Sequence, residues 1–335
     1  ELISLGHHLA TNSDTETIVH AYEQWGERCV EYFRGMFAFA LWDGHKERLF
    51  LARDRFGKKP MFLCENRGTL LFASEIKSIL TFPGIKAEVD TAAVWDYFAY
   101  RYVPGPATLF RGIRKLMPGC YAVWEKGILS EKNYYRPPDR EVFAGVLLPA
   151  DPVGAFLDKL DEAVNIRMIS DVPFGAFLSG GIDSSALVGL MSRHSAQPVK
   201  TFSVGFAEAR YSELGYAKTI AEQFKTDHHE LVVSQEHLMQ YLPELVRFRD
   251  APVAEPSDIP IYLLAKEARK TVKMVLTGEG SDEFLGGYPK HVYERYAGWY
   301  QTIPGFIRHG LLEPLVQALP YRFRRAKTAS RGAFA

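Results

Sequence analysis

The sequence predicts an α/β chain with two domains, a mostly antiparallel sheet layered against other structure and then a doubly wound parallel sheet. Three observations carry this. Residues 36–73 hold four short apolar runs separated by Asp-Gly, Phe-Gly and Arg-Gly turn signals, a pattern that suits antiparallel strands buried against a second layer. From Pro152 onward helical and strand patterns alternate, which is the mark of a parallel sheet with crossover helices. Between about Tyr134 and Pro152, Arg-Pro-Pro-Asp and Pro-Ala-Asp-Pro break both periods. The domains are therefore placed at 1–135 and 152–335, with a linker at 136–151.

In chain order, Asp14 reads as the N-cap of a helix in which Ile18, Val19 and Tyr22 recur at helical spacing. Strands follow at Met36–Trp42, Leu49–Arg53, Met61–Cys64 and Thr69–Ala73. A helix at Asp90–Tyr100 leads to a proline-rich loop, and Cys120–Trp124 with its Glu-Lys-Gly turn forms the last hairpin. Past the linker, Val153, Phe156, Leu157, Leu160 and Val164 share one face of a helix running from Pro152 to about Ile169. Strand Phe174–Leu178, helix Ser184–Ser192, strand Val199–Val204, helix Tyr211–Phe224, strand His228–Val233, helix Ile259–Lys270 and strand Lys273–Thr277 complete the alternation.

Composition excludes several classes. Lys plus Arg and Asp plus Glu number 40 each, so the net charge is zero and no nucleic-acid or membrane surface is announced. The basic cluster Arg322, Arg324, Arg325 and Lys327 reads as a solvated tail. No signal peptide or membrane-length apolar stretch is present. Cys29, Cys64 and Cys120 lack metal-ligand spacing and read as reduced core thiols of a cytoplasmic protein. Each histidine, read singly, is satisfied or solvated, and Tyr293, Tyr296, Trp299 and Tyr300 read as helix packing.

The stretch with the clearest chemistry is Phe177-Leu178-Ser179-Gly180-Gly181-Ile182-Asp183-Ser184-Ser185. An apolar strand breaks into glycines that let backbone N–H groups approach an anion. Ser184 and Ser185 then open a helix whose start favours negative charge. No lysine follows the glycines, so this is not a Walker A loop. A bare Ser-Gly-Gly would read as a tight strand-to-helix turn; the strand before it, the aspartate and the double serine point to a nucleotide.

Ligands of a doubly wound sheet bind at the C-terminal ends of its strands. Those ends here carry Ser179 to Ser185, then Ser203-Val204-Gly205-Phe206, and Thr277-Gly278-Glu279-Gly280-Ser281-Asp282-Glu283. All three turns should open on one crevice. Asp183 and Asp282 make a magnesium-binding pair, because that ion takes a few hard oxygens together with substrate phosphates. Taken alone, Gly-Glu-Gly-Ser-Asp-Glu is equally an acidic capped loop that opens a helix.

Ser-Gly-Gly-Ile-Asp-Ser-Ser resembles the pyrophosphate loop of N-type ATP pyrophosphatases. With Phe-Ser-Val-Gly-Phe and Gly-Glu-Gly-Ser-Asp-Glu it is similar to the synthetase domain of the glutamine-hydrolysing asparagine synthetase family, bacterial B type. The first half resembles that family's class II glutaminase domain in Ser13-Asp14-Thr15-Glu16, Arg34 to Asp43, Arg53 to Pro60 and Phe72 to Glu75. The resemblance covers nearly the whole chain. It implies an N-terminal-nucleophile α+β sandwich followed by an ATP pyrophosphatase domain.

The resemblance further implies that Leu178 and Val204 line an adenosine pocket and that Thr277 and Gly278 touch ATP. Ser179, Gly180, Gly181, Asp183 and Ser184 would hold pyrophosphate, Asp183 and Asp282 would bind Mg2+, and Glu279 would support an acyl-adenylate. Asp14 would grip the α-amino group of glutamine, and the loop from Glu255 to Asp258 would lie near the acceptor. The implied reaction is ATP-dependent transfer of ammonia from glutamine to aspartate in a cytoplasmic homodimer. Other carboxylate acceptors, and a non-catalytic ATP-binding role, are the alternatives. Read from Glu1, the sequence is expected to be a piece lacking the family's N-terminal cysteine and its C-terminal helical end, and unable alone to hydrolyse glutamine.

Overall fold

The computed structural model describes residues 1–138, 146–207 and 212–318. The middle of the expected linker, the Tyr211 start of one expected helix and the basic cluster at 322–327 lie outside the described residues. The chain divides into two compact units, one of Glu1–Ala150 with Gln235–Tyr262, the other of Asp151–Ser234 with the residues from Leu263 on.

The first unit is layered, and strand alternation shows how. Helices α1 (Asp14–Trp25) and α2 (Cys29–Tyr32) face an antiparallel sheet of order β1-β2-β6-β7, formed by β1 (Ala38–Asp43), β2 (Arg48–Arg53), β6 (Cys120–Glu125) and β7 (Ile128–Asn133). A second antiparallel sheet has the order β4-β3-β5 and comprises β3 (Phe62–Asn66), β4 (Thr69–Ala73) and β5 (Ile113–Lys115).

Successive strand residues point to opposite faces. Phe50 and Ala52 of β2 pack with Ala21, Tyr22, Cys29 and Val30 of the helices, while Leu51 between them packs with Met61 and Leu63 on the second-sheet side. Cys64, next to Leu63, turns the other way and meets Ile76 and Ile79 of α3 (Ile76–Leu80). Helix, sheet, sheet, helix is the resulting layer order.

Two-residue turns with positive φ at Arg67-Gly68 and Lys126-Gly127 close the β3–β4 and β6–β7 hairpins, where the turn signals place them. The three cysteines are buried and free. One reading is corrected: Ser13, not Asp14, caps α1. The Ser13 side chain accepts from the Thr15 N–H, and Asp14 is the first helical residue. A helix with no counterpart in the sequence reading, α8 (Gln235–Arg249), also belongs to this unit. Its Pro243 interrupts the pattern without ending the helix, and Asp250 just beyond it pairs with Lys77 Nζ at 3.1 Å.

The second unit holds a parallel sheet of order β10-β9-β8-β11, built from β8 (Phe174–Phe177), β9 (Lys200–Phe206), β10 (Asp227–Val233) and β11 (Met274–Leu276). One face packs α5 (Pro152–Arg167), α6 (Ile182–His194) and α7 (Leu214–Phe224) through Val164, Leu187, Val188, Met191, Ala217 and Ala221. On the other face Phe202 meets Leu264 and Ala268 of α9 (Asp258–Ala268). Helices on both faces of a parallel sheet make it doubly wound.

Two further readings are corrected here. Helix α6 starts at Ile182 with Gly181 as its cap residue, so Ser184 and Ser185 sit third and fourth in the helix and do not open it. The aromatic residues of α11 (Pro289–Thr302) are not packed away: Tyr293 is 47% exposed, Tyr296 54% and Trp299 58%. Ala297 is the buried residue of that helix.

Among the described residues, no helix is long and apolar enough to cross a membrane.

Candidate active site

The chain runs from β8 to β9 to β10 in one direction across the sheet, and β11 is then added on the far side of β8. Strand order therefore reverses between β8 and β11, and the crevice beyond the strand ends at such a point is where open α/β sheets bind ligands. The two loops at that point are Ser179 to Ser185 and Thr277 to Glu283.

The first loop is held by its own serines. Leu178 is buried in the core, and its N–H continues the sheet by donating to Phe202 O at 2.9 Å. The Ser203 hydroxyl donates to Leu178 O. Ser179 N–H donates to Ser184 Oγ at 3.3 Å, the two serine hydroxyls lie 3.0 Å apart, and Gly181 N–H donates to Ser179 Oγ at 3.3 Å. Gly180 adopts φ of +82°, and a Cβ there would meet Ala217 N and Tyr216 Cβ at 2.6 Å. Only glycine meets both the conformation and the close passage of α7.

No side chain caps α6. The N–H groups of its first turn have no intrahelical acceptor, and with the helix dipole they favour an anion at this end. Residue types, turn and helix start together form a cradle suited to phosphate.

The second loop closes against the first. A Cβ on Gly278 would lie 3.0 Å from Asp183 Cβ and 3.1 Å from Ser184 N. Gly278 O accepts from the Ser281 hydroxyl at 2.9 Å, which turns the chain into α10 (Ser281–Leu285). Any side chain on Gly287 would collide with Oδ1 of Asp282, so the carboxylate of Asp282 rests on bare backbone.

Thr277 and Glu279 are exposed, and Asp183, Val204 and Asp282 are half-buried. Among the described residues, the carboxylates of Asp183, Glu279 and Asp282 form no hydrogen bond or ion pair. Two half-buried carboxylates without a cationic partner, on adjoining loops, are a donor set that fits a hard divalent cation. Glu283, by contrast, is engaged by the Tyr288 hydroxyl at 2.9 Å. A groove of about 540 Å3 nearby takes Ser185, Leu157 and Leu160 in its lining, but not these acids.

Asp14 belongs to the first unit, where it is exposed at the start of α1. Other motif residues of this unit hold its backbone in place. Glu16 accepts from the N–H groups of Ala10 and Thr11, both at 2.7 Å. Buried Asp54 accepts from the N–H groups of Phe56, Lys58 and Lys59 at 3.0–3.1 Å. Arg53 donates to the carbonyls of Lys59, Leu116 and Gly57 at 2.6–2.8 Å. Glu255 pairs with Arg101 at 3.2 Å and Asp258 with Arg249, both within the first unit.

Comparison with known proteins agrees with both halves. The asparagine synthase family matches residues 155–333, and the glutamine amidotransferase domain matches residues 1–135. Asparagine synthetase [glutamine-hydrolyzing] 1 of Bacillus subtilis is 35% identical over 334 residues, 99% of this chain and 52% of that protein. A Mycobacterium tuberculosis protein with a provisional asparagine synthetase [glutamine-hydrolyzing] name is 41% identical over 288 residues, 83% of this chain and 43% of that protein. Amidase chry2 of Gibberella zeae is 32% identical over 296 residues, 83% of this chain and 43% of that protein. The chain thus spans about half the length of the curated relatives it matches.

Proposed function

The chain belongs to the asparagine synthase family, and from that premise we propose that the protein uses ATP and glutamine to amidate aspartate, releasing AMP and pyrophosphate. A carboxylate does not condense with ammonia near neutral pH, so it must first gain a leaving group. Attack of the aspartate side-chain carboxylate on the α-phosphorus of ATP forms β-aspartyl-AMP and expels pyrophosphate. Ammonia then adds to the acyl carbon and AMP departs.

The observation that carries this reading is the joint of the two loops at the β8–β11 switch point. The uncapped start of α6 and the Ser179–Ser184 turn receive the pyrophosphate moiety. Leu178, Val204, Thr277 and Gly278 border the nucleoside and α-phosphate. Asp183 and Asp282 would hold magnesium, which when bound would neutralise charge on the departing pyrophosphate. The contribution of the loop is placement and electrostatics made ready before the reaction. Glu279, exposed between two glycines, stands at the acyl-transfer position, and Asp14 in the first unit grips the amino group of glutamine.

A second reading changes the acceptor only: the residues that join the loops bear on ATP, and one relative bears an amidase name. Pyrophosphate release measured with the full-length protein across a panel of carboxylic acids separates the two. Release with aspartate supports the first reading, and release with another acid but not aspartate supports the second.

A further inference from the structure

We propose that His7, His20 and Glu23 form a binding site for a divalent transition-metal ion of the zinc type. His20 and Glu23 lie three residues apart on α1, hence on one face of it, and His7 comes from the segment between the Ile3–Leu5 turn and the helix. His7 Nδ1 is 3.1 Å from His20 Nδ1, His20 Nδ1 is 3.2 Å from Glu23 Oε2, and His7 Nδ1 is 3.8 Å from the same oxygen. Ligands about 2.0–2.1 Å from a tetrahedral zinc ion stand roughly 3.3–3.4 Å from one another. The triangle of donor atoms therefore has the size of one face of that tetrahedron, with the fourth position open.

Both rings turn Nδ1 toward the centre. His7 Nε2 lies 3.0 Å from Gln24 Oε1. An amide oxygen only accepts, so Nε2 carries a proton, and in the neutral tautomer Nδ1 turns a lone pair inward. His20 turns Nδ1 toward the same point, 3.1 Å from His7 Nδ1 and 3.2 Å from Glu23 Oε2, and its Nε2 toward the Glu16 carboxylate at 3.8 Å. Two ring nitrogens and a carboxylate oxygen thus converge on one point, which a proton on His20 Nδ1 or a metal ion in its place can occupy.

His7 has the outer partner that metal-binding histidines require, since its other ring nitrogen is held by the Gln24 side-chain oxygen; His20 turns its other nitrogen toward the Glu16 carboxylate at 3.8 Å. Glu16 is itself fixed by the N–H groups of Ala10 and Thr11. The His7 and His20 side chains are 15% and 21% exposed, whereas Glu23 is 59% exposed, so the carboxylate forms the entry side. Imidazole nitrogens suit zinc and its neighbours. Magnesium and calcium take mostly oxygen ligands. Bound metal would clip the segment around His7 to α1.

The test uses the whole chain stripped with a chelator and titrated with Zn2+ alone by calorimetry, with Co2+ absorption reporting the coordination geometry. One zinc per chain is expected, together with a tetrahedral cobalt spectrum and a rise in thermal midpoint on adding zinc. His20→Asn should weaken binding by at least about 100-fold, and Gln24→Ala, outside the ligand set, by about tenfold. Glu23→Gln lies at the exposed rim, so it keeps the fold and should still lose the cobalt spectrum. Binding that is absent, or that persists undiminished in His20→Asn and Glu23→Gln, would overturn the proposal and leave a shared proton between the two rings.

Discussion

Gly278 and Asp183 meet where the two strand-end loops join: a Cβ on Gly278 would stand 3.0 Å from the Cβ of Asp183. The next nearest atom is the Ser184 backbone nitrogen at 3.1 Å, which cannot swing away as a long side chain would. Gly278→Ala should therefore push the Thr277–Glu283 loop off the start of α6 by a few tenths of an ångström. The expected cost is about 1–2 kcal/mol of stability. Pyrophosphate release should fall about tenfold or more, because a misplacement of ~1 Å near the chemistry can cost ~100-fold in rate. Urea midpoints and steady-state pyrophosphate assays read the two effects separately. Wild-type values in both would show that the contact does not position the loop.

Asp183→Ala should separate activity from folding. The side chain is half-buried, and among the described residues it makes no hydrogen bond or ion pair, so its loss should change stability by less than ~0.5 kcal/mol. Magnesium-dependent ATP turnover should disappear, while the unfolding midpoint stays near that of the wild type. Undiminished turnover would sink the assignment of this loop to pyrophosphate and metal.

Thiol chemistry checks the core of the first unit. Burial pushes the Cys29 thiol up to about 12, and it raises Cys64 and Cys120 as well. Each is therefore a neutral thiol at pH ~7–8 and a poor nucleophile. Alkylation in native buffer should be slow and should track unfolding, while all three thiols react at once in strong denaturant. Rapid stoichiometric labelling of the native protein would contradict the packing around α1, α2 and the two sheets.

Local patterns carried the parts of this fold that are local in cause. The apolar run before Ser179, the glycines and the periodic segment after them encode strand, turn and helix within a few residues. The hairpin turns at Arg67-Gly68 and Lys126-Gly127 are equally self-contained. Helix α8 was not legible because Pro243 and its polar composition mask the helical period, and helical structure there persists in the packed unit. The cap of α1 shifted by one residue because Ser13 and Asp14 are both good caps and the sequence does not rank them. Neither the closure of Gly278 on Asp183 nor the meeting of His7 with His20 can be read locally. Both are made by segments that only the tertiary fold brings together.

The acid limb of stability should depend on Glu27. It accepts from the Tyr121 hydroxyl at 2.8 Å, from Arg48 at 3.1 Å and from Lys132 at 3.2 Å, and its side chain is mostly buried. Burial pushes its carboxyl up, but the bonds from Tyr121 and Lys132, with the charges of Lys132 and Arg48, outweigh that and hold it below the ordinary value. A carboxyl with a depressed folded pKa contributes stability that is complete above its unfolded pKa of about 4.3 and is lost as pH falls through the folded value. Glu27→Gln should thus destabilise the chain by about 1–3 kcal/mol near neutral pH, the range for hydrogen bonds to a charged group. Below about pH 4.3 the carboxyl takes up its proton first in the unfolded chain, so the gap between the two proteins should narrow. Urea unfolding at pH ~7 and again at pH ~3.5 measures both gaps. A gap of equal size at the two values would mean that Glu27 acts through packing and not through its charge.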